Sequence, residues 1–260
     1  MSGDFLKIIR DYKLELLAAK KAYYENLKKN MKRATYARYE VFKKAISRPG
    51  QVNLIAEIKK ASPSAGLIRE DFEISKIAKI YVEHKAAAIS VLTEDKYFLG
   101  KFSYLERVND EFRLPTLMKD FIIHEFQIFE GAFYGASAVL LIADMLEDSQ
   151  LRDLMAVAHS LGLDCLIEAH SEKEVERALD ADAEIIGVNN RDLRTLEVDV
   201  NNCLRLIKEI PEGKIIVAES GLKTREDVQR VHQAGAHAVL IGETFMRSAD
   251  IGAKIKEIMA

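Results

Sequence analysis

The sequence predicts an α/β fold, a (β/α)8 TIM barrel with an N-terminal helical extension. Three observations predict it. Strand-like and helix-like patterns alternate eight times after residue 50, the strand-like runs are continuously apolar, and most of them end on a polar or charged residue. Continuous apolarity marks parallel strands covered by helices on both faces. A chain of 260 residues with 48% hydrophobic content fits one barrel, which folds as a single unit of about 250 residues.

The candidate strands are 53–59, 88–93, 115–121, 138–143, 164–169, 184–189, 214–219 and 237–242. Helical patterns lie between them, as at 75–85, 149–161, 171–179 and 224–233. Ser171 with Glu174, and Thr224 with Asp227, have capping-box spacing. Gly135, Gly162 and Gly235 stand where helices stop before the next strand. An open doubly wound sheet is the alternative. It calls for Gly-x-Gly-x-x-Gly after the first strand, which residues 59–66 do not supply.

Residues 1–48 precede a barrel spanning 49–260. Leu6, Ile9, Leu16, Leu17 and Ala18 are spaced like one helix face, and a second helix is expected over about 33–46, ended by Pro49-Gly50. No linker-like composition separates this segment, so it is expected to pack on the barrel within a single domain. Residues 1–50 carry 13 Lys/Arg against 5 Asp/Glu, a net of +8, which leaves −11 for the remainder. Such a balance fits a nucleic-acid arm, a transit peptide, a solvated basic helix or a cap over an anionic substrate. Asp4, Asp11, Glu15 and Glu25 interrupt a transit pattern, and no nucleic-acid motif accompanies the charge. No run reaches the roughly 18 apolar residues of a membrane span, and no secretory signal is visible. The two cysteines, Cys165 and Cys203, have no ligand spacing. Cys165 has parity opposite to Glu168 and is expected to pack against a helix. No nucleic-acid or membrane partner is therefore expected, and the default compartment is a reducing cytoplasm.

The carboxyl ends of barrel strands form the mouth, where active sites are built. Glu57 and Lys59 end the first strand, Lys119 the third, Glu168 the fifth, Asn189 the sixth, and Glu219 with Ser220 the seventh. Ile55, Glu57 and Lys59 share a face, as do Leu166 with Glu168 and Val217 with Glu219. A charge buried off a core strand costs several kcal/mol unless it is paired or in use. One instance can be a structural ion pair; five at the same relative place point to an active site. Two lysines and three carboxylates in one concavity shift each other's pKa values, which suits general acid–base work.

A second cluster follows strands seven and eight, at Ser220-Gly221-Leu222 and Gly242-Glu243-Thr244. Barrels hold phosphates there on backbone N–H groups, although a tight turn explains each glycine equally well. Ser62 of Ser62-Pro63-Ser64 can add a hydroxyl. His84, His159 and His232 fall on helices and are expected at the surface. His170 shares the parity of Glu168, but no second ligand at recognisable spacing accompanies it, so no metal is expected.

Residues 56–64, Ala-Glu-Ile-Lys-Lys-Ala-Ser-Pro-Ser, resemble the signature of the indole-3-glycerol phosphate synthase family. Leu117-Met118-Lys119-Asp120-Phe121-Ile122, Leu166-Ile167-Glu168-Ala169-His170, residues 187–193 and Ala218-Glu219-Ser220-Gly221-Leu222 resemble its third, fifth, sixth and seventh strand motifs. The resemblance runs from about residue 5 to the C-terminus. It implies a cofactor-free and metal-free lyase of tryptophan biosynthesis that acts on a phosphorylated small molecule. The reaction converts 1-(2-carboxyphenylamino)-1-deoxyribulose 5-phosphate to indole-3-glycerol phosphate, carbon dioxide and water.

The resemblance also implies roles. Lys119 would be the general acid at the carbonyl, with its pKa brought toward neutrality, and Glu168 would stabilise positive charge or act in dehydration. Glu57 and Lys59 would serve late proton transfer, and which pair handles dehydration stays open. Asn189, Glu219 and Ser220 would position the substrate. Ser62, Gly221, Gly242 and Glu243 would contact the phosphate, with Arg191 in the same substrate-binding set. Phe98, Phe121 and Leu140 would wall the aromatic ring. The extension would lie over the mouth, so removing residues 1–45 is expected to raise KM more than it lowers stability.

A monomer or weak homodimer is expected, with other tryptophan-pathway enzymes as candidate associates. No fused isomerase is expected in the 17 residues after Glu243. His124 and Gly131-Ala132 depart from the family pattern where packing and oligomer contacts are at stake rather than chemistry, and Asp144, with mouth-facing parity after strand four, receives no role. The sister phosphoribosylanthranilate isomerase would require a Cys/Asp acid–base pair, and no cysteine is suitably placed. A scaffold subunit would have lost the strand-end residues.

Overall fold

In the computed structural model of the chain, which describes residues 4–31 and 40–259, eight parallel strands close in chain order. They are β1 (Asn53–Ile58), β2 (Ala88–Leu92), β3 (Thr116–Lys119), β4 (Ala138–Ile142), β5 (Asp164–Ala169), β6 (Ile185–Asn189), β7 (Ile215–Glu219) and β8 (Ala238–Ile241). β1 pairs with β2 on one side, Ile55 beside Ala88, and with β8 on the other, Ile55 beside Leu240. That double pairing shuts the ring and excludes the open sheet. The strands are buried almost throughout, because the ring packs on itself inside and on helices outside.

Before the barrel come α1 (Phe5–Ala19), α2 (Lys21–Met31) and α3 (Val41–Ile46). The strand connections carry α4 (Ile74–Glu83), α5 (Phe102–Glu111), α6 (Glu125–Phe133), α7 (Asp148–Ser160), α8 (Glu172–Asp180), α9 (Asn201–Leu206) and α10 (Arg225–Ala234). The short α11 (Glu243–Met246) and then α12 (Ile251–Met259) follow β8. Gly135 at φ 84° and Gly235 at φ 121° reverse the chain after α6 and α10, in a backbone region that favours glycine. Thr224 and Asp227 form the expected reciprocal cap. At α8 the expected box is incomplete: Ser171 accepts from the Glu174 N–H, while the Glu174 carboxylate turns to the N–H of His170. His124 caps α6 by accepting from the Phe126 N–H. A Cβ at Gly131 would stand 2.5 Å from Met118 Sδ, so the glycine lets α6 lie close on β3.

The apolar face of α1 differs from the one the spacing suggests. Phe5, Leu6, Ile9 and Lys13 are buried, Leu16 and Leu17 are half-buried, and Ala18 is exposed. The buried stripe runs on to a lysine because the barrel meets it with a carboxylate, Asp120, 2.6 Å from Lys13 Nζ. α2 packs on α6, where Tyr24 stacks on Phe126 at 5.4 Å and its hydroxyl donates to Glu130 at 3.0 Å. Of the helix expected over 33–46, the stretch 33–39 lies outside the described residues. α3 itself is held at the opposite end of the barrel from the mouth: Asp164 at the start of β5 accepts from the N–H groups of Phe42 and Lys43 at 2.9 and 3.0 Å. Phe42 and Ile46 are wholly buried there. The extension thus reaches both ends of the barrel, and deleting residues 1–45 would strip Phe42 from the core as well as α1 from the mouth.

Candidate active site

A cavity of about 810 Å³ opens at the carboxyl ends of the strands, and all fifteen residues expected in the site line it. On its floor Glu57 and Lys59, two residues apart on one face of β1, pair at 2.7 Å. Lys119 at the end of β3 reaches two carboxylates, Glu168 Oε2 at 2.9 Å and Glu219 Oε2 at 2.5 Å. Asn189 at the end of β6 donates to Glu168 Oε1 at 2.8 Å. Two glycines make room for these acids. A Cβ at Gly187 would stand 2.2 Å from Glu219 Oε1, and one at Gly242 would stand 2.3 Å from Glu57 Oε1.

The charges do not balance evenly. Burial opposes charge on Lys119, but Glu168 and Glu219 outweigh it and hold the ammonium above its ordinary pKa. The expected shift toward neutrality is therefore reversed, because burial is overridden when carboxylates stand within hydrogen-bond distance. Burial also opposes ionisation of Glu168, yet Lys119 and the Asn189 amide carry it below the usual carboxylate range. Glu219 goes the other way: burial, reinforced by neighbouring Glu168 and only partly offset by Lys119, pushes it up to about 8. Its Oε1 is buried without a hydrogen-bond partner. The trio thus holds one ammonium, one carboxylate and one carboxyl group that keeps its proton near neutral pH.

The second end of the cavity is basic. Ser220 at φ 65° and Gly221 at φ 75° turn the backbone after β7, where a Cβ on Gly221 would stand 2.6 Å from Val198 Cγ1. Gly242 precedes α11, and Ser62 Oγ accepts from the Ala65 N–H at 3.2 Å in the turn after β1. Arg191 ties these loops together, with Nη2 3.5 Å from Glu243 and Nη1 3.3 Å from Ser64 Oγ. Burial works against ionised Glu243, but Arg247, Lys59 and Arg191 hold it below its ordinary pKa. Cations from three loops thus face one corner, which suits a dianion. Phe98 and Phe121 stand 5.9 Å apart as a wall beside Leu140.

Several contributors have no role in the sequence-based reading. Phe5 of α1 joins the wall, 5.9 Å edge-on from Phe121. Leu193, Leu196, Val198 and Val200 of the loop after β6 line the cavity. Asp144 holds that loop: both its oxygens accept from Arg194 at 2.7 Å, and Arg194 also reaches Asp4 at 2.7 Å. The mouth-facing parity of Asp144 was the available signal, but its partner is 50 residues away. His170 is not on the cavity; its Nδ1 lies 2.8 Å from the carbonyl of Asn189. Cys165 is buried as its parity implies. Of the three helix histidines, His84 and His159 are half-buried and His232 is exposed.

The family model for indole-3-glycerol phosphate synthase matches residues 6–258. The chain belongs to that family. An indole-3-glycerol phosphate synthase of Acetivibrio thermocellus is 47% identical over 95% of this chain and 98% of its own length. One from Endomicrobium trichonymphae is 49% identical over 84% of each. Among solved structures, 3-hexulose-6-phosphate synthase from Salmonella typhimurium matches 80% of this chain and 97% of its own at a TM-score of 0.64 and 12% identity. Thiamine phosphate pyrophosphorylase from Pyrococcus furiosus matches 80% and 93% at a TM-score of 0.60 and 14% identity. Those two likenesses bear on the barrel alone, whereas the family model spans the extension from Leu6 onward as well as the strand ends.

Proposed function

We infer that the chain carries the activity of its family, closing the indole ring of 1-(2-carboxyphenylamino)-1-deoxyribulose 5-phosphate with loss of carbon dioxide and water. The observation that carries this reading is Lys119 held between Glu168 and Glu219 in the same cavity as the Glu57–Lys59 pair. The ring carbon bearing the carboxylate attacks the ketone carbon, and the carbonyl oxygen takes a proton to become a hydroxyl. Carbon dioxide then leaves, returning its electron pair to the ring and quenching the positive charge on nitrogen. Protonated hydroxyl departs as water, and loss of a proton beside nitrogen completes the aromatic ring.

Lys119 suits the first proton. An ammonium held above its ordinary pKa stays charged near neutrality, and the developing alkoxide is basic enough to take its proton. Glu168, held ionised, lies where a cationic nitrogen can be stabilised. Glu219 and Asn189, which both line the cavity, position the substrate. Ser220, at the positive-φ turn beside Glu219, belongs to the same positioning group. Glu57 and Lys59 serve the late proton transfers, with Lys59 also facing the substrate carboxylate. The phosphate is assigned to Ser62, Gly221, Gly242, Glu243 and Arg191, and the aromatic ring to Phe98, Phe121 and Leu140. The extension (1–48) and the barrel (49–260) serve as one unit, since α1 completes the mouth.

Among the described residues no helix is long and apolar enough to cross a membrane. We place the protein in the cytoplasm as a monomer or weak homodimer, with other tryptophan-pathway enzymes as candidate associates and with no nucleic-acid or membrane partner; two unpaired buried cysteines suit a reducing compartment. The direct test is fluorescence-monitored formation of indole-3-glycerol phosphate by the purified chain. Absence of product would overturn the reading.

A further inference from the structure

Lys13 is a full ammonium in the protein interior, with 4% of its side chain exposed, on the same face of α1 as Phe5 and Ile9. Its Nζ stands 2.6 Å from Asp120 Oδ1, and Asp120 directly follows Lys119. Asp120 does more than receive Lys13. Its Oδ1 also accepts from the Phe121 N–H at 2.7 Å, and its Oδ2 accepts from Thr93 Oγ1 at 2.7 Å. Beyond Thr93, the carboxylate of Glu94 is buried and accepts from three successive backbone N–H groups, those of Lys96, Tyr97 and Phe98, at 2.9, 2.7 and 2.9 Å. Two carboxylates thus fix the backbone of Phe98 and Phe121, the two aromatic rings 5.9 Å apart on the cavity wall.

We propose that Lys13 is a positioning residue for the ring-closing reaction: by supplying the buried counter-charge to Asp120 and Glu94, it keeps the aromatic wall of Phe98 and Phe121 in the geometry that binds the substrate's carboxyphenyl ring. The proposal rests on the activity inferred above. The Glu94 carboxyl gives it independent support, since burial already pushes this group above its ordinary pKa against the opposing pull of its backbone donors and Lys13. The N-terminal extension thereby acts on the chemistry through charge, from a distant point in the sequence, as well as by covering the mouth with Phe5.

The rival reading is that Lys13 only fastens α1 to the barrel. The two differ in Lys13→Met, which keeps the aliphatic stem and removes the charge. They differ also in the double variant Lys13→Met/Asp120→Asn, in which the new amide oxygen can still accept from the Phe121 N–H. Lys13→Met is expected to raise KM tenfold or more with kcat within about fivefold of wild type, and the double variant to return KM to within about threefold. Calorimetric affinity for indole-3-glycerol phosphate moves in parallel. That readout needs no turnover, so it separates failure of this inference from failure of the activity. A folded Lys13→Met with lowered Tm and unchanged KM and Kd overturns the proposal. So does a double variant whose KM and Kd stay tenfold or more above wild type, and this second criterion applies even where Lys13→Met alone fails to fold.

Discussion

Lys119 Nζ lies closer to Glu219, at 2.5 Å, than to Glu168, at 2.9 Å, yet it is Glu219 that keeps its proton near neutrality. Burial of Glu219 beside ionised Glu168, together with the Asn189 amide on Glu168, accounts for the inversion. That amide donates to Glu168 and stabilises the ionised form there, whereas Glu219 Oε1 has no donor and crowds against Gly187. Proximity to a cation is outweighed by burial and a neighbouring carboxylate where no further donor offsets them.

Replacing Lys119 by Met removes the proton donor and leaves the cavity shape nearly intact. A positioned acid or base contributes about 10²- to 10⁴-fold, so kcat measured by product fluorescence should fall by that range. Full activity in Lys119→Met would remove Lys119 from its role as general acid.

Gly187→Ala tests whether the placement of Glu219 matters. The new methyl would stand 2.2 Å from Glu219 Oε1 and 3.2 Å from Leu166 Cδ1, and the carboxylate is the freer of the two to move. Misplacing a site group by about 1 Å costs on the order of 10²-fold in rate. We expect that loss in kcat with Tm within a few degrees of wild type; a large drop in Tm with normal kcat would contradict it.

The two ends of the extension should separate cleanly. Phe5→Ala removes an edge-on partner of Phe121 on the cavity wall and should raise KM about fivefold, matching the roughly 1 kcal/mol that such aromatic pairs add. Phe42→Ala, wholly buried at the far end of the barrel, should cost about 3–5 kcal/mol in chemical denaturation and leave KM unchanged. A KM change in Phe42→Ala would show that the far end of the barrel reaches the mouth.

Stability should carry the signature of Glu219. Its folded pKa, about 8, lies above its ordinary 4.5, so between those values the folded protein binds a proton that the unfolded chain has released. Stability contributed by that proton is present in full at the acid end of the window and is lost as pH rises toward 8. Glu168 has the opposite sign: its contribution is present above its unfolded pKa and is lost as pH falls through its lowered folded value. Denaturation curves of wild type and Glu219→Gln should therefore diverge with pH between about 5 and 8, the wild type losing ground to the variant, and run parallel above that. Parallel curves throughout would show that Glu219 ionises normally.

The closed barrel and its mouth were legible in the sequence because both rest on local periodicity. A two-residue alternation puts Glu57 with Lys59, and Val217 with Glu219, on one face whatever the rest of the chain does. Continuous apolar runs then require helices on the outside of the ring. The helix face of α1 was misjudged because Lys13 is buried by a carboxylate far away in the sequence, Asp120, which no local pattern reveals. The role of Asp144 is hidden from local pattern for the same reason, since Arg194 arrives on a different loop.

The sequence by itself determined which groups reach the mouth. Only the tertiary structure decided their charge: Lys119 driven up instead of down, Glu168 ionised and Glu219 protonated. The physical reason is that side-chain direction follows from chain geometry one residue at a time, whereas a pKa is set by the sum of burial and of every charge and donor that folding gathers within a few ångströms.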